Sequence, residues 1–168
     1  MKNNNVLIDP SMIGEIYDDL IAEGWQPVMI GGLALIILGS ESVTRDVDFV
    51  VKKPHHRVSD FVSAFYRNNF YLASEINSLG QITATFDNKT EATNFLKINK
   101  TTSAFFLNKK TGLKIDVLFD FPIPAVKLLK EATKLKVGSQ TFWIASKIHL
   151  LQLKQLAVTS RGLSRDKQ

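Results

Sequence analysis

Apolar residues along this chain switch between two spacings, and the switch points outline its elements. Met12, Ile13, Ile16, Tyr17, Leu20 and Ile21 recur at three- and four-residue intervals after Pro10-Ser11, which predicts an amphipathic helix ending at Gly24. Val28 to Ile30 reads as a short strand after Pro27. Gly31-Gly32 then turns the chain into a compact apolar helix, Leu33 to Leu38, closed by Gly39. A polar link through Ser40, Glu41, Ser42 and Thr44 leads to a strand from Asp46 to Val51. After Pro54, Val58, Phe61, Val62, Phe65 and Tyr66 return to the helical period.

The middle of the chain reads as extended, with strands expected at Gln81 to Phe86, Phe95 to Ile98 and Ala104 to Leu107. Asn108-Lys109-Lys110-Thr111-Gly112 forms a hairpin loop into Leu113 to Phe119. There Leu113, Ile115, Val117 and Phe119 alternate with Lys114, Asp116 and Leu118, so Asp116 points away from the four apolar side chains. A helix is expected around Val126 to Thr133, then a hairpin from Lys136 to Trp143 turning at Gly138-Ser139. The last helix, Ala145 to about Thr159, carries Ile148, Leu151 and Leu156 on its expected core stripe. Phe61, Phe65, Tyr66, Phe105 and Phe106 follow these periods and are assigned to the core rather than to a base-stacking platform.

Chemistry enters at Asp46 and Asp48, two residues apart beside the apolar run Phe49-Val50-Val51 and therefore on one strand face. Ionised carboxylates so placed repel each other and resist burial, which calls for a cation or protons. With Asp116 from another strand they form a set that suits one or two hard cations, Mg²⁺ or Mn²⁺. Nucleotidyl transfer needs this arrangement, with one metal on the triphosphate and one on the acceptor hydroxyl. Separated from Asp46 by thirteen residues, Gly31-Gly32 offers a backbone that anionic oxygens can approach, at the positive end of the following helix. The plainer alternatives are a strand-end pair bridged to Arg45 or Lys52, and a solvent-facing Asp116. His55-His56 point apart on a loop and read as surface residues, and His149 as a packed or surface one.

Composition narrows the classes. The chain has 168 residues, 45% hydrophobic and 22% charged, enough for one domain with a substantial core. It has no cysteine, which excludes disulfides, thiolate nucleophiles and zinc-thiolate sites. The polar start and the glycine-broken apolar run Val28 to Leu38 resemble neither a signal peptide nor a bilayer span, so a soluble, cytoplasmic protein without a membrane partner is expected. A net charge of +5 and the tail cations Arg161, Arg165 and Lys167 suit an anionic partner such as a nucleotide or RNA, or a merely solvated basic surface.

Taken together, Gly31-Gly32, Asp46-Val47-Asp48 and Lys114-Ile115-Asp116-Val117 resemble the motifs of the DNA polymerase beta nucleotidyltransferase superfamily. Lys154, Ala157, Arg161, Arg165 and Asp166 are spaced like the last motif of its AbiEii-type toxin nucleotidyltransferases. The resemblance implies one nucleotidyltransferase domain over residues 1–168, of α/β class, with a mixed, largely antiparallel sheet flanked by helices. Residues 145–168 would form a C-terminal helix and basic tail. It also implies that Asp46, Asp48 and Asp116 are catalytic and metal-binding, and that Gly31, Gly32, Arg45 and Lys154 contact the nucleotide. Relatives usually continue beyond the Arg-Asp pair, so acceptor recognition is expected from a further segment or a partner chain.

The expected reaction moves a nucleoside monophosphate from an NTP to an acceptor hydroxyl on RNA or tRNA, a protein or a small molecule, releasing pyrophosphate. A toxin–antitoxin setting, with an antitoxin as protein partner, accompanies the resemblance. The rival expectation is a nucleotide-binding or interaction module that acts as the partner of another protein.

Overall fold

The computed structural model describes residues 11–39, 46–99 and 101–166, with side chains as far as residue 156. Helix α1 (Ser11–Ala22) buries Ile13, Ile16, Tyr17 and Leu20 on one stripe and delivers the chain to β1 (Val28–Ile30). Helix α2 (Gly31–Ile37) follows without a linker, and β2 (Asp46–Val51) carries the first acidic pair. A 3-10 turn, His55–Arg57, opens α3 (Val58–Arg67), which is followed by β3 (Phe70–Ile76), β4 (Ile82–Thr85) and α4 (Lys89–Ile98). The rest comprises β5 (Ser103–Asn108), β6 (Lys114–Phe119), α5 (Ala125–Glu131), β7 (Thr133–Val137), β8 (Gln140–Ile144) and α6 (Lys147–Asp166).

The strands form one sheet in the order β4-β3-β5-β6-β2-β1-β8-β7. Neighbours run antiparallel except β2 with β6 and β1 with β8. This is the mixed, largely antiparallel sheet flanked by helices that the sequence leads one to expect.

One face of the sheet is sealed by aromatic packing. Phe65 of α3 stacks on Phe106 of β5 with ring centroids 3.9 Å apart, and Phe61 meets Phe119 of β6 edge-on at 5.6 Å. Tyr17 of α1 lies between Phe49 and Phe142, 5.6 and 4.9 Å away. Its hydroxyl donates to the Pro27 carbonyl and accepts from the Trp143 amide, both at 2.8 Å, pinning α1 to the segment that enters β1 and to β8. Burial pushes that phenol up to about 12, so it stays a neutral donor at any ordinary pH.

The opposite face is divided. Beneath α2, which packs on β1 and β2, Val28 and Val50 are fully buried. Over β3, β5 and β6 the same face is only half-covered, leaving Tyr71, Phe105, Leu107, Lys114 and Asp116 partly exposed.

Several sequence expectations need correction. Phe95–Ile98 is the end of α4, not a strand. Asn88 caps that helix by accepting from the Thr90 amide at 2.7 Å, and Ala92, Phe95 and Leu96 form a three-and-four stripe. β3 was not among the expected strands, although Phe70 and Leu72 alternate with Tyr71. On α6, Ile148, Leu151 and Leu156 face outward, while His149 and Leu150 are buried. The helix carries two apolar stripes, and its docking on α2 selects the one that periodicity alone could not. Phe105 and Tyr66 are half-buried rather than core. Among the described residues, no helix is long and apolar enough to cross a membrane.

Candidate active site

The parallel pairing of β2 with β6 sets Asp48 directly beside Asp116 and Asp46 beside Lys114. Because both strands alternate, these four side chains share the half-covered face while Val47, Phe49, Ile115 and Val117 fill the core behind them. Strand neighbours are about 4.8 Å apart, so two buried-side carboxylates are forced together by backbone register alone.

Asp48 bears the consequence. Its carboxyl is pushed up to about 7, first by burial, then by the Asp116 charge and their shared hydrogen bond, with Lys114 opposing. Asp116 is also raised by burial, against the pull of Lys114. The two therefore share a proton readily. One Asp116 oxygen, Oδ1, is buried with no hydrogen-bond partner. The Lys114 ammonium stands 3.7 Å from an oxygen of Asp46 and 3.7 Å from Asp116 Oδ1, close enough for attraction but too far for a good hydrogen bond. It also lies 5.4 Å from the centre of the Phe105 ring.

Gly31 closes the site from the β1 side. Ile30 pairs with Asp48, and the next residue, Gly31, opens α2 with φ of +73°. A β-carbon there would stand 3.1 Å from Asp48 Cγ and collide with Oδ2. Glycine is thus required twice, by the backbone angle and by the carboxylate that leans against it. The glycines sit in the first turn of α2 rather than ahead of it, and Ile30 provides no side-chain cap there. Gly31→Ala is expected to lower the melting temperature by roughly 2–8 °C, from about 1–2 kcal/mol of left-handed strain, and to displace Asp48; a thermal melt checks it.

The structure therefore gathers Asp46, Asp48, Asp116 and Gly31, with Gly32 next in α2. Lys154 is exposed on α6, which packs against α2, and has no ion pair among the described residues. Arg45 lies outside the described residues, as do the side chains of Arg161, Arg165 and Asp166. His55 and His56 are exposed away from the carboxylates, and His149 is buried with Nε2 3.7 Å from Glu131. Lys114 and Phe105 are site residues that sequence reasoning did not assign. The position of Lys114 two residues before Asp116 was a usable signal; its pairing opposite Asp46 was not.

The donor set fits a hard divalent cation. It offers only carboxylate oxygens, one of them buried and unsatisfied, in a cluster whose ionised form is electrostatically strained. Among the described residues no group of three such side chains is yet drawn together closely enough to hold a metal ion. Asp48 and Asp116 are in contact, and Asp46 would join them by exchanging Lys114 for the cation.

No family model and no curated sequence matches the chain. Solved structures do match. The fold resembles that of TM1012 from Thermotoga maritima, a nucleotidyltransferase candidate, with a TM-score of 0.61 at 14% identity, covering 94% of this chain and 89% of that one. It also resembles lincomycin-bound LnuA, a lincosamide antibiotic adenylyltransferase, with a TM-score of 0.54 at 9% identity, covering 86% and 85%. At such identities the likeness is one of fold, the mixed sheet and its flanking helices being shared with both structures.

Proposed function

We propose that this protein is a metal-dependent nucleotidyltransferase, transferring a nucleoside monophosphate from an NTP to an acceptor hydroxyl. The observation that carries this reading is the side-by-side register of Asp48 and Asp116, with Asp46 on the same face and Gly31 against Asp48. Mg²⁺ or Mn²⁺ bound by the three aspartates would neutralise the triphosphate and the developing charge at the α-phosphorus. The Gly31-Gly32 backbone at the start of α2 seats the phosphates. The acceptor oxygen forms the new bond to the α-phosphorus as the bond to the β-phosphate oxygen breaks, and pyrophosphate leaves. Asp116, with its unpartnered buried oxygen, is placed to take the hydroxyl proton. Lys154 on α6 would add a cation toward the phosphates. Of the possible acceptors, RNA or tRNA, a protein or a small molecule, the last is in keeping with the LnuA likeness.

The test is label transfer from each α-labelled NTP to bulk RNA, protein and small hydroxylated compounds, with and without Mg²⁺. Metal-dependent transfer that is lost in Asp116→Asn is the expected result. Absence of transfer to every acceptor, or equal transfer by the variant, would overturn the reading. A second reading, a nucleotide-binding module without transfer, draws on Lys114, whose ammonium already lies against two of the three carboxylates. NTP binding without transfer would select it.

A further inference from the structure

A second cleft lies where β2 ends, on the far side of that strand from Asp46. Its cavity of about 640 Å³ is within the range of small-ligand sites. One wall is polar and carries the cations Lys52, Lys53 and Arg57, with His55 and His56 between them, all within six consecutive residues. The other is apolar, formed by Trp25, Val126 and Leu129. A neighbouring cavity of about 370 Å³ shares Lys53 and His55 and adds Lys97.

The acidic groups nearby are already engaged. Asp120, the carboxylate lining the cleft, accepts from the Lys53 amide at 3.1 Å and from the Ala125 amide at 2.9 Å. Asp60 pairs with Arg57 Nε at 3.4 Å, and Glu23 pairs with Arg67 at 2.7 Å. Arg57 is further fixed by donating to the Glu23 carbonyl at 2.8 Å and lies 5.0 Å over the Trp25 ring. Among the described residues, Lys52 and Lys53 have no ion pair, so their ammonium groups remain available to an anion. Trp25 itself is 94% buried, yet its indole N–H has no acceptor within the protein. The cleft thus joins unpaired lysines to an apolar wall.

We propose that this cleft is a second binding site, for a nucleotide unit whose phosphate meets Lys52 and Lys53 and whose base lies against the Val126 and Leu129 wall, with the buried Trp25 close behind. Along β2 the span from Asp48 to Lys52 is about 13 Å, so the site is separate from the acidic one. It does not depend on nucleotidyl transfer. The unit is either a free nucleotide or one residue of a single-stranded nucleic acid, and both present a phosphate beside a stackable base.

The full-length chain is titrated with AMP and, separately, with a short fluorescein-labelled single-stranded oligoribonucleotide. The Lys52→Gln/Lys53→Gln variant is compared with wild type. Both lysines are exposed, so the variant should melt as wild type does. The expected result is at least tenfold weaker binding by the variant. For the oligoribonucleotide, the slope of log K against log salt should fall by about 0.7, corresponding to one lost phosphate contact. Trp25 fluorescence should change on binding, and the change should vanish in Trp25→Phe. Lysine-dependent AMP binding that displaces the oligonucleotide identifies a free nucleotide as sufficient, while a lysine-dependent oligonucleotide signal that AMP leaves intact identifies the nucleic acid. Equal binding by wild type and the lysine variant, or no binding of either probe to wild type, would overturn the proposal, whatever the outcome of the label-transfer test.

Discussion

Asp48→Asn is expected to abolish nucleotidyl transfer and at the same time to stabilise the metal-free protein. The loss should reach about three orders of magnitude or more in kcat, because a bound cation contributes several kcal/mol at the transferred phosphoryl group and Asn is a far poorer ligand for it. The gain in stability has the same origin as the loss. Asp48 is buried beside Asp116, and its carboxyl is pushed up to about 7, so at pH 7.5 the folded protein must hold a charge that burial opposes. Asn fills the same volume without that charge. A variant that loses activity and also melts lower at pH 7.5 would show that Asp48 is a structural hydrogen-bonding group rather than a strained ligand.

The second expectation is a stability profile that runs against the usual carboxylate pattern. For an ordinary ion-paired aspartate, stability is lost as pH falls. Here the folded-state value, about 7, lies above the ordinary 3.8, so between these limits the folded protein binds more protons than the unfolded chain. The contribution is full below about pH 4, declines through the interval and is gone above about pH 7. Its size is on the order of 2–4 kcal/mol for Asp48, and Asp116 is shifted in the same direction. Melting temperature in chelator should therefore fall from pH 5 to pH 7.5. Adding Mg²⁺ at pH 7.5 should restore about 2.7 kcal/mol when the metal is at a hundred times its dissociation constant. Lys114→Met should deepen the metal-free deficit more than the metal-loaded one, since the ammonium sits 3.7 Å from both Asp46 and Asp116. A flat pH profile, indifferent to Mg²⁺, would leave the acidic cluster as an ion-paired surface feature.

The elements that could be read from residue order are those whose signals are local. β1 and β2 fall at the expected residues because proline, glycine and an unbroken apolar run delimit them. α1 and α3 follow from three-and-four stripes that end in real aromatic packing. Phe95–Ile98 reads as a strand because its apolar residues form a short run, whereas the signal for a helix, the Asn88 cap, lies upstream of that run. The outward-facing stripe of α6 is ambiguous in the sequence for a different reason. A helix that is apolar on two sides has no preferred inward face until something docks on it.

The site divides along the same line. That Asp46 and Asp48 share a face, and that Asp116 opposes the apolar side of its own strand, follows from the two-residue period of any strand. A chain with these residues in this order already contains three carboxylates facing away from a core. What residue order does not contain is which strands are neighbours. The parallel register of β2 on β6 places Asp48 against Asp116 and Lys114 against Asp46, and the turn at Gly31 brings the start of α2 onto the same carboxylate. Strand pairing joins residues about seventy positions apart through backbone hydrogen bonds and burial, and neither leaves a trace in local spacing. The carboxylates were thus set by the sequence pattern, and their mutual strain, their contact with Lys114 and their half-buried aromatic neighbour Phe105 by the packing of the sheet.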